Sequence, residues 1–365
     1  MIVLKDEGMY CPEGDFFIDP LLPCKNAVIT HAHADHARPG MKNYICTPET
    51  SEIMKLRISN DLIIKEVEYN NEIQINSVKI TFIPAGHVLG SSQIKIDNGS
   101  EVTIITGDYK RAIDPTCKAF EVHECDTFVT EATFASPNFK WPCVDTEIDK
   151  IIDWHKDNQQ KNINSVLFSY SLGKAQRIIK LIKDKYKINF YAHQSIRSIN
   201  KIYMKYGIQD LETKTLNTKK SIIEGIIIAP PGARRSKQLK NFIPYSTGFC
   251  SGWTLNSKRD FDKGFTISDH ADWNDLIKTI EQTKAKKVII IHGNGPMLRK
   301  YLNEKGITVS NFTKINMRIV HFSYHYLMDK RPEDKAMQLT YSLGMVIAIV
   351  LCILIFFRLL YLFLS

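Results

Sequence analysis

The sequence predicts a layered α/β fold that carries a second α/β unit as an insertion. Three observations predict it. Short apolar runs end, again and again, in a polar residue suited to chemistry, as sites do at the strand ends of layered α/β proteins. The segment from about 161 to 255 alternates strands and helices in its own right. The chain, at 365 residues, is long enough to bury a large core and to hold more than one domain.

Along the chain, residues 2–30 read as short strands and turns, and Val28–Thr30 as the end of a buried strand. Met41–Cys46 reads as a strand and Thr50–Leu56 as a short helix. Val78–Ile83 alternates apolar and polar residues, reads as a strand and leads into Pro84-Ala85-Gly86-His87. Val102–Thr106 is followed by Gly107-Asp108-Tyr109-Lys110, and Thr127–Thr130 by Glu131. Asp145 to about Asn158 reads as a helix with Ile148, Ile151 and Ile152 on one face, and His155 as a surface histidine beside that face. Val166–Ser169, Ile188–Tyr191 and Gly225–Ala229 read as strands of the inserted unit. Phe265–Ile267 runs into Ser268-Asp269-His270-Ala271-Asp272, and Val288–Ile291 into His292-Gly293.

The densest chemistry lies at His31-Ala32-His33-Ala34-Asp35-His36. On an extended backbone His31 and His33 point the same way, so both imidazoles can grip one divalent ion. Asp35 and His36 follow where the chain turns and can face a second position nearby. Neutral imidazole and carboxylate suit zinc and similar ions. A polar loop that happens to be rich in histidine is the bland alternative, and H-x-H-x-D-H is too tight a pattern to favour it. Around Ser171-Leu172-Gly173-Lys174-Ala175-Gln176-Arg177, a glycine turn, a helix start and two cations suit a phosphate. A plain strand–helix connection reads those residues equally well. His123, His193, His321 and His325 read as structural or surface residues.

The formal net charge of +9 and a pI near 9.0 favour an anionic partner, nucleic acid or an anionic membrane. The eight cysteines contain no C-x-x-C pair and no tight cluster, which argues for reduced thiols in the cytosol rather than a disulfide frame. Met1–Gly8 has no apolar run and is not a secretory signal. There is no evident repeat or low-complexity stretch.

Collected together, these residues resemble the metallo-β-lactamase fold, and within it the β-CASP nucleases. His31–His36 matches the second motif of that fold, His87 the third and Asp108 the fourth. Glu131, His270 and His292 resemble motifs A, B and C of the β-CASP branch. Further runs are similar to those of bacterial ligase-associated DNA exonucleases, among them Pro84–Ser91, Gly107–Lys110, Ser171–Arg177, Ser251-Gly252-Trp253 and Ser268–Trp273. The resemblance covers about residues 1–315. It implies an αββα sandwich over 1–160 and 256–316, with a β-CASP cassette at 161–255 and the active site in the groove between them.

The resemblance also implies roles. His31, His33 and His87 hold one ion, Asp35, His36 and His292 a second, and Asp108 bridges both; two zinc ions are expected, with manganese as the alternative. His270 is the proton donor and Glu131 its orienting carboxylate; spacing alone does not separate His270 from His292 as acid and ligand. Lys174 and Arg177 are the expected phosphate-binding pair. The activity implied is hydrolysis of phosphodiester bonds by a DNA 3′-exonuclease that prepares ends for ligation, with a functional link to an ATP-dependent DNA ligase. RNA 3′-end processing is the alternative, and a small-molecule metallohydrolase of the same fold a third reading. The segment resembling the cassette, with Glu131 and His270, argues against the third. A binding protein without catalysis is opposed by the full ligand set.

The tail lies outside the resemblance. Residues 317–342 are polar and mixed and read as a linker, and Leu343–Leu364 is apolar apart from Arg358. At ~1.5 Å per residue that run matches a bilayer core of roughly 30 Å. Lys330, Arg331 and Lys335 precede it, so the expectation is a C-terminal transmembrane helix that anchors a cytoplasmic catalytic part to the inner membrane.

Overall fold

Strand periodicity builds the core. A computed structural model describes residues 1–216, 222–257, 260–293 and 295–311, all within one compact unit, Met1–Met317. The first sheet comprises β1 (Val3–Lys5), β2 (Gly8–Cys11), β3 (Phe16–Ile18), β4 (Asn26–Val28), β5 (Asn43–Cys46) and β6 (Ile64–Glu66), side by side in chain order. β1–β3 pair antiparallel, and β3–β6 pair parallel. Between β5 and β6 lies α1 (Pro48–Arg57), whose first turn is closed by the Thr47 side chain accepting the Thr50 N–H, with Pro48 at the first helical position.

A second sheet begins with β7 (Glu72–Ile75), β8 (Val78–Pro84), β9 (Ser92–Asp97), β10 (Val102–Ile105) and β11 (Thr127–Glu131). The chain then leaves through α2 (Val144–Gln160) into a third sheet. That part contains β12 (Asn164–Phe168), α3 (Lys174–Lys185), β13 (Phe190–Ala192), α4 (Gln194–Lys205), β14 (Lys214–Thr215), β15 (Ile226–Ala229), the single turn α5 (Lys237–Lys240), β16 (Tyr245–Cys250) and β17 (Lys263–Phe265). The third sheet has the order β14-β13-β15-β12-β16-β17, and every pair in it is parallel. The chain returns through α6 (Trp273–Thr283), β18 (Lys287–Ile291), α7 (Pro296–Glu304) and β19 (Thr308–Asn311). β18 inserts beside β11, so the second sheet runs β19-β18-β11-β10-β9-β8-β7.

Successive side chains on a strand face opposite ways, so each strand serves two cores. Val78, Ile80 and Phe82 of β8, with Ile289 and Ile291 of β18, meet Cys11, Phe16, Ile18 and Val28 of the first sheet. The alternate residues of β18, Val288 and Ile290, pack with Leu276 and Ile280 of α6 and Leu298 and Leu302 of α7. On the first sheet's other face Ala27, Tyr44 and Cys46 pack with Ile53 and Met54 of α1, in an apolar layer that continues through α2, α3 and α4. The order helix, sheet, sheet, helix is an αββα sandwich. In the third sheet Ile226 and Ile228 join that helical layer, whereas Ile227 and Ala229 face Leu239, Phe242 and Phe249. Strands buried on both faces read as unbroken apolar runs, as Ile226–Ala229 does.

Two expectations need correction. The transmembrane helix at 343–364, with the membrane partner and the inner-membrane anchoring derived from it, is not upheld: no helix among the described residues is long and apolar enough to cross a membrane. The longest of them, α2, has 17 residues and covers only about 25 Å. Residues 343–364, the linker 317–342, His321 and His325 lie outside the described residues. His155 is a buried residue rather than a surface one. Its Nδ1 lies 2.9 Å from the Ser165 hydroxyl, and burial pushes its pKa down to about 4.

Candidate active site

The ligand loop is fixed from below before any ion is considered. Asp19, at the end of β3, accepts the Thr30 N–H at 2.8 Å and the Thr30 hydroxyl at 2.6 Å. His36 and Ala37 both direct their N–H groups to the His33 carbonyl, at 3.1 and 2.8 Å, and so close the turn that carries Asp35 and His36. Gly107 holds φ at +55°, and a Cβ there would lie 2.6 Å from the Thr30 hydroxyl. Only glycine lets the Asp108 turn come this close to the histidine loop. Gly86, before His87, is equally constrained: φ is +70°, and a Cβ there would lie 2.3 Å from the Lys110 carbonyl oxygen.

The partners of the outer ring nitrogens assign the tautomers. A carbonyl only accepts, so His87 donates Nδ1–H to the Asp269 carbonyl at 2.7 Å, and His33 donates Nε2–H to the Leu172 carbonyl at 3.2 Å. The Thr30 hydroxyl spends its proton on Asp19 and therefore accepts from His31 Nδ1 at 3.1 Å. Three lone pairs then converge: His33 Nδ1 lies 3.0 Å from both His31 Nε2 and His87 Nε2. Lone pairs at this separation repel unless a cation sits among them. A tetrahedral ion with nitrogen ligands at ~2.0–2.1 Å would space them about 3.3 Å apart, so the donor set fits. Asp108 Oδ2 stands 3.7 Å from His31 Nε2 and from His87 Nε2.

A second donor group adjoins the first. His36 gives Nδ1–H to Asp19 at 2.7 Å, which aims its Nε2 at Asp35 Oδ2 (3.6 Å) and Asp108 Oδ1 (3.5 Å). His292 stacks on His36 with ring centroids 4.9 Å apart and planes 5° from parallel. It leaves β18 with φ at +54°, in the left-handed region. Asp35, His36 and His292 form one candidate ligand group, and His31, His33, His87 and Asp108 another. His36 Nε2 and Asp108 Oδ1 are both buried with no hydrogen-bond partner among the described residues. Such orphaned atoms, facing each other across the gap between the two groups, fit a cation there. Burial and its histidine neighbours push His31 well below its usual pKa, the neutral form that a metal needs.

Glu131, His270 and Asp108 make a third cluster. Glu131 is buried at the end of β11; its Oε1 accepts the Tyr109 N–H at 2.7 Å and its Oε2 faces His270 Nδ1 at 2.8 Å. Burial alone would depress the His270 pKa, but the carboxylates of Glu131 and Asp108 outweigh it and raise the value to about 9. The surroundings thus favour the protonated imidazole, held at Nδ1 by Glu131. Its side chain is 21% exposed, enough for a substrate to reach it.

Lys174 and Arg177 occupy a different setting from an open phosphate surface. Both are buried. Lys174 Nζ pairs with Asp269 Oδ2 at 2.7 Å. Arg177 donates to the Ser268 carbonyl at 2.8 Å, with Asp114 3.5 Å from its Nε and Asp269 3.7 Å from its Nη1. Lys110 completes the network by pairing with Asp114 at 2.6 Å. Burial opposes ionisation of Asp269, but Lys174, Lys110 and Arg177 outweigh it and hold the carboxyl far below its usual range. Sequence reasoning passes over Asp19 and Asp269 as site residues. Asp19 follows the apolar run Phe16–Ile18, the same pattern that singles out Asp108 and Glu131, and Asp269 directly precedes His270. His193 caps α4 by accepting the Ser195 N–H, and His123 lies 3.5 Å from Glu121 at the surface.

A metal-binding donor set beside a carboxylate-held imidazolium is the arrangement of a metal-dependent hydrolase. The comparisons agree with it. The family model described as "Zn-dependent metallo-hydrolase RNA specificity domain" matches residues 264–310. The chain is 24% identical to the "Probable DNA ligase" of Opitutus terrae, over 82% of this chain and 30% of that protein. It is 23% identical to the "RNase J-like protein" of Methanocaldococcus jannaschii, over 80% of this chain and 86% of the other. It thus spans less than a third of the first relative's length. A crystal structure of a protein of unknown function from Enterococcus faecalis V583 superposes with a TM-score of 0.53 at 13% identity, covering 80% of this chain and 79% of that one, a likeness of fold. Together these matches support the metallo-β-lactamase/β-CASP nuclease family for this chain.

Proposed function

We propose that the protein is a two-metal nuclease that trims the 3′ ends of DNA before ligation. The observation that carries the reading is the convergence of three imidazole lone pairs and Asp108 next to the Glu131–His270 pair. In it, His31, His33 and His87 hold one ion and Asp35, His36 and His292 the other, with Asp108 facing both. Zinc is the metal that suits this donor set, and manganese is the alternative. When bound, such ions polarise a phosphodiester and make water a better nucleophile. The residues of the chain do the rest. Asp108 aligns both donor groups, Asp19 and Asp269 fix the rings of His36 and His87, and Glu131 keeps His270 charged. As the water oxygen bonds to phosphorus it gives up one proton to solvent, the bond to the 3′ oxygen or the 5′ oxygen breaks, and His270 passes its own proton to the departing alkoxide. The sequence from 161 to 255 is then the β-CASP cassette; it holds five of the six strands of the third sheet, the sixth, β17 (Lys263–Phe265), lying beyond it.

DNA as substrate, and a functional link to an ATP-dependent ligase, draw support from the name of the Opitutus terrae relative. RNA 3′-end processing is the second reading. It draws support from the description of the family model over 264–310 and from the name of the archaeal relative. Matched DNA and RNA oligonucleotides, labelled at the 5′ end and incubated with and without chelator, test both. A ladder shortening from the 3′ end of DNA supports the first reading. A ladder on RNA alone replaces it with the second, and chelator-resistant or absent cleavage overturns both.

A further inference from the structure

We infer that the indole of Trp253 is a stacking platform for a nucleobase flanking the scissile phosphodiester, an inference that rests on the nuclease reading. Trp253 lies just past β16 and is 41% exposed, unusual for so large an apolar ring. It belongs to a wall of aromatic residues rather than to a loose loop. Phe134 touches it at a centroid distance of 4.7 Å, and Phe139 backs it at 5.8 Å. Phe134 also meets Trp141 edge-on at 4.7 Å and His270 at 5.7 Å. Two ring-to-ring steps therefore lead from the exposed indole to His270.

The wall is fastened to the loop that carries His270. Trp141 donates its indole N–H to the His270 carbonyl at 2.8 Å and its backbone N–H to Asp272 at 3.0 Å. Gly252 packs so tightly against it that a Cβ would lie 2.8 Å from Phe134, 2.9 Å from Trp141 and 3.1 Å from Ser268. The ring is thus held in register with the acid by covered neighbours, while its own surface stays open. A nuclease that moves along a strand must accept every base in turn. Stacking does so because every base presents a π-face, whereas hydrogen bonds to base edges would discriminate.

The test uses the full-length, metal-loaded protein and its Trp253→Ala and Trp253→Phe variants. The substrates are oligonucleotides that are natural or carry an abasic tetrahydrofuran residue at the 3′-terminal position, the penultimate position or both. On natural ends Trp253→Ala should lose roughly 5- to 150-fold in kcat/KM, the range of one lost base stack, and Trp253→Phe should keep most of the activity. Wild-type protein should lose a similar factor when one of the two bases is removed, and Trp253→Ala should be indifferent to that removal. An equal loss in Trp253→Ala on natural and doubly abasic ends assigns the ring a structural role and overturns the platform. So does unchanged activity in Trp253→Ala. Wild-type protein that cuts none of the oligonucleotides overturns the nuclease reading itself, an outcome distinct from the other two.

Discussion

The backbone carbonyl of Asp269 accepts the Nδ1–H of His87 at 2.7 Å, while the carboxylate of the same residue takes Lys174 at 2.7 Å. One residue therefore sets the ring of a candidate ligand and anchors the start of α3 from the inserted unit. The two cations that the sequence offers to a phosphate are committed to this joint. A buried pair of this kind is costly to break, because removal of one partner leaves the other charge uncompensated.

Lys174→Ala should therefore destabilise the protein by on the order of 3–5 kcal/mol, read as a lower melting temperature. Activity should fall roughly 10–100-fold through the loosened His87, the usual effect of losing a ligand's supporting contact. The salt dependence of nucleic-acid binding should stay as in the wild type; a shallower slope would return Lys174 to the phosphate. The contribution of Asp269 has a defined pH sense. Its folded pKa is depressed, so its stabilisation is complete above the unfolded value of ~3.9 and is lost as pH falls towards the folded value.

Activity should decline at alkaline pH as His270 loses its proton, with the limb above the ordinary histidine value because the Glu131 carboxylate favours the charged ring. Glu131 raises that value, so Glu131→Gln should move the limb to lower pH. His270→Ala should retain its metal and lose roughly 10²–10⁴-fold in rate. Metal analysis beside a pH–rate profile reads both. Loss of metal from His270→Ala, with full metal in His292→Ala, would exchange the two roles.

Asp108 faces both donor groups, with 3.5 Å to His36 and 3.7 Å to His31 and His87. Asp108→Ala should abolish hydrolysis and lower the metal content from two ions per chain. A fully active wild type with at most one ion would refute the two-metal arrangement.

Among the described residues, Asp19 reaches the site through His36 and Thr30. Asp19→Asn should weaken metal binding roughly 10–100-fold, the usual cost of a lost supporting carboxylate. Competition with a metal indicator measures it, and an unchanged affinity would make Asp19 a purely structural anchor of the loop.

Local chemistry is legible in the sequence and tertiary pairing is not. The spacing of His31, His33, Asp35 and His36 declares a ligand loop because alternation on an extended segment is a local property. Glu131, His270 and His292 stand out because each follows an apolar run. The environment of Lys174 and Arg177 cannot be read there, since Asp114 and Asp269 are distant in sequence and come into place only through the fold. Strands such as β9 (Ser92–Asp97) and β16 (Tyr245–Cys250) escape a sequence reading because polar residues interrupt their apolar pattern. The expected transmembrane helix rests on length and hydropathy alone.

The order in which the site's parts occur along the chain bears on how the protein is made. His31 to His36 precede β5, whereas His270 follows β17 and His292 follows β18. Synthesis proceeds from the N-terminus, so the first histidines leave the ribosome long before His270 and His292. A growing chain carries the first donor loop before the residues that complete the site around it exist. The site has all of its parts only once the return strand β18 lies beside β11.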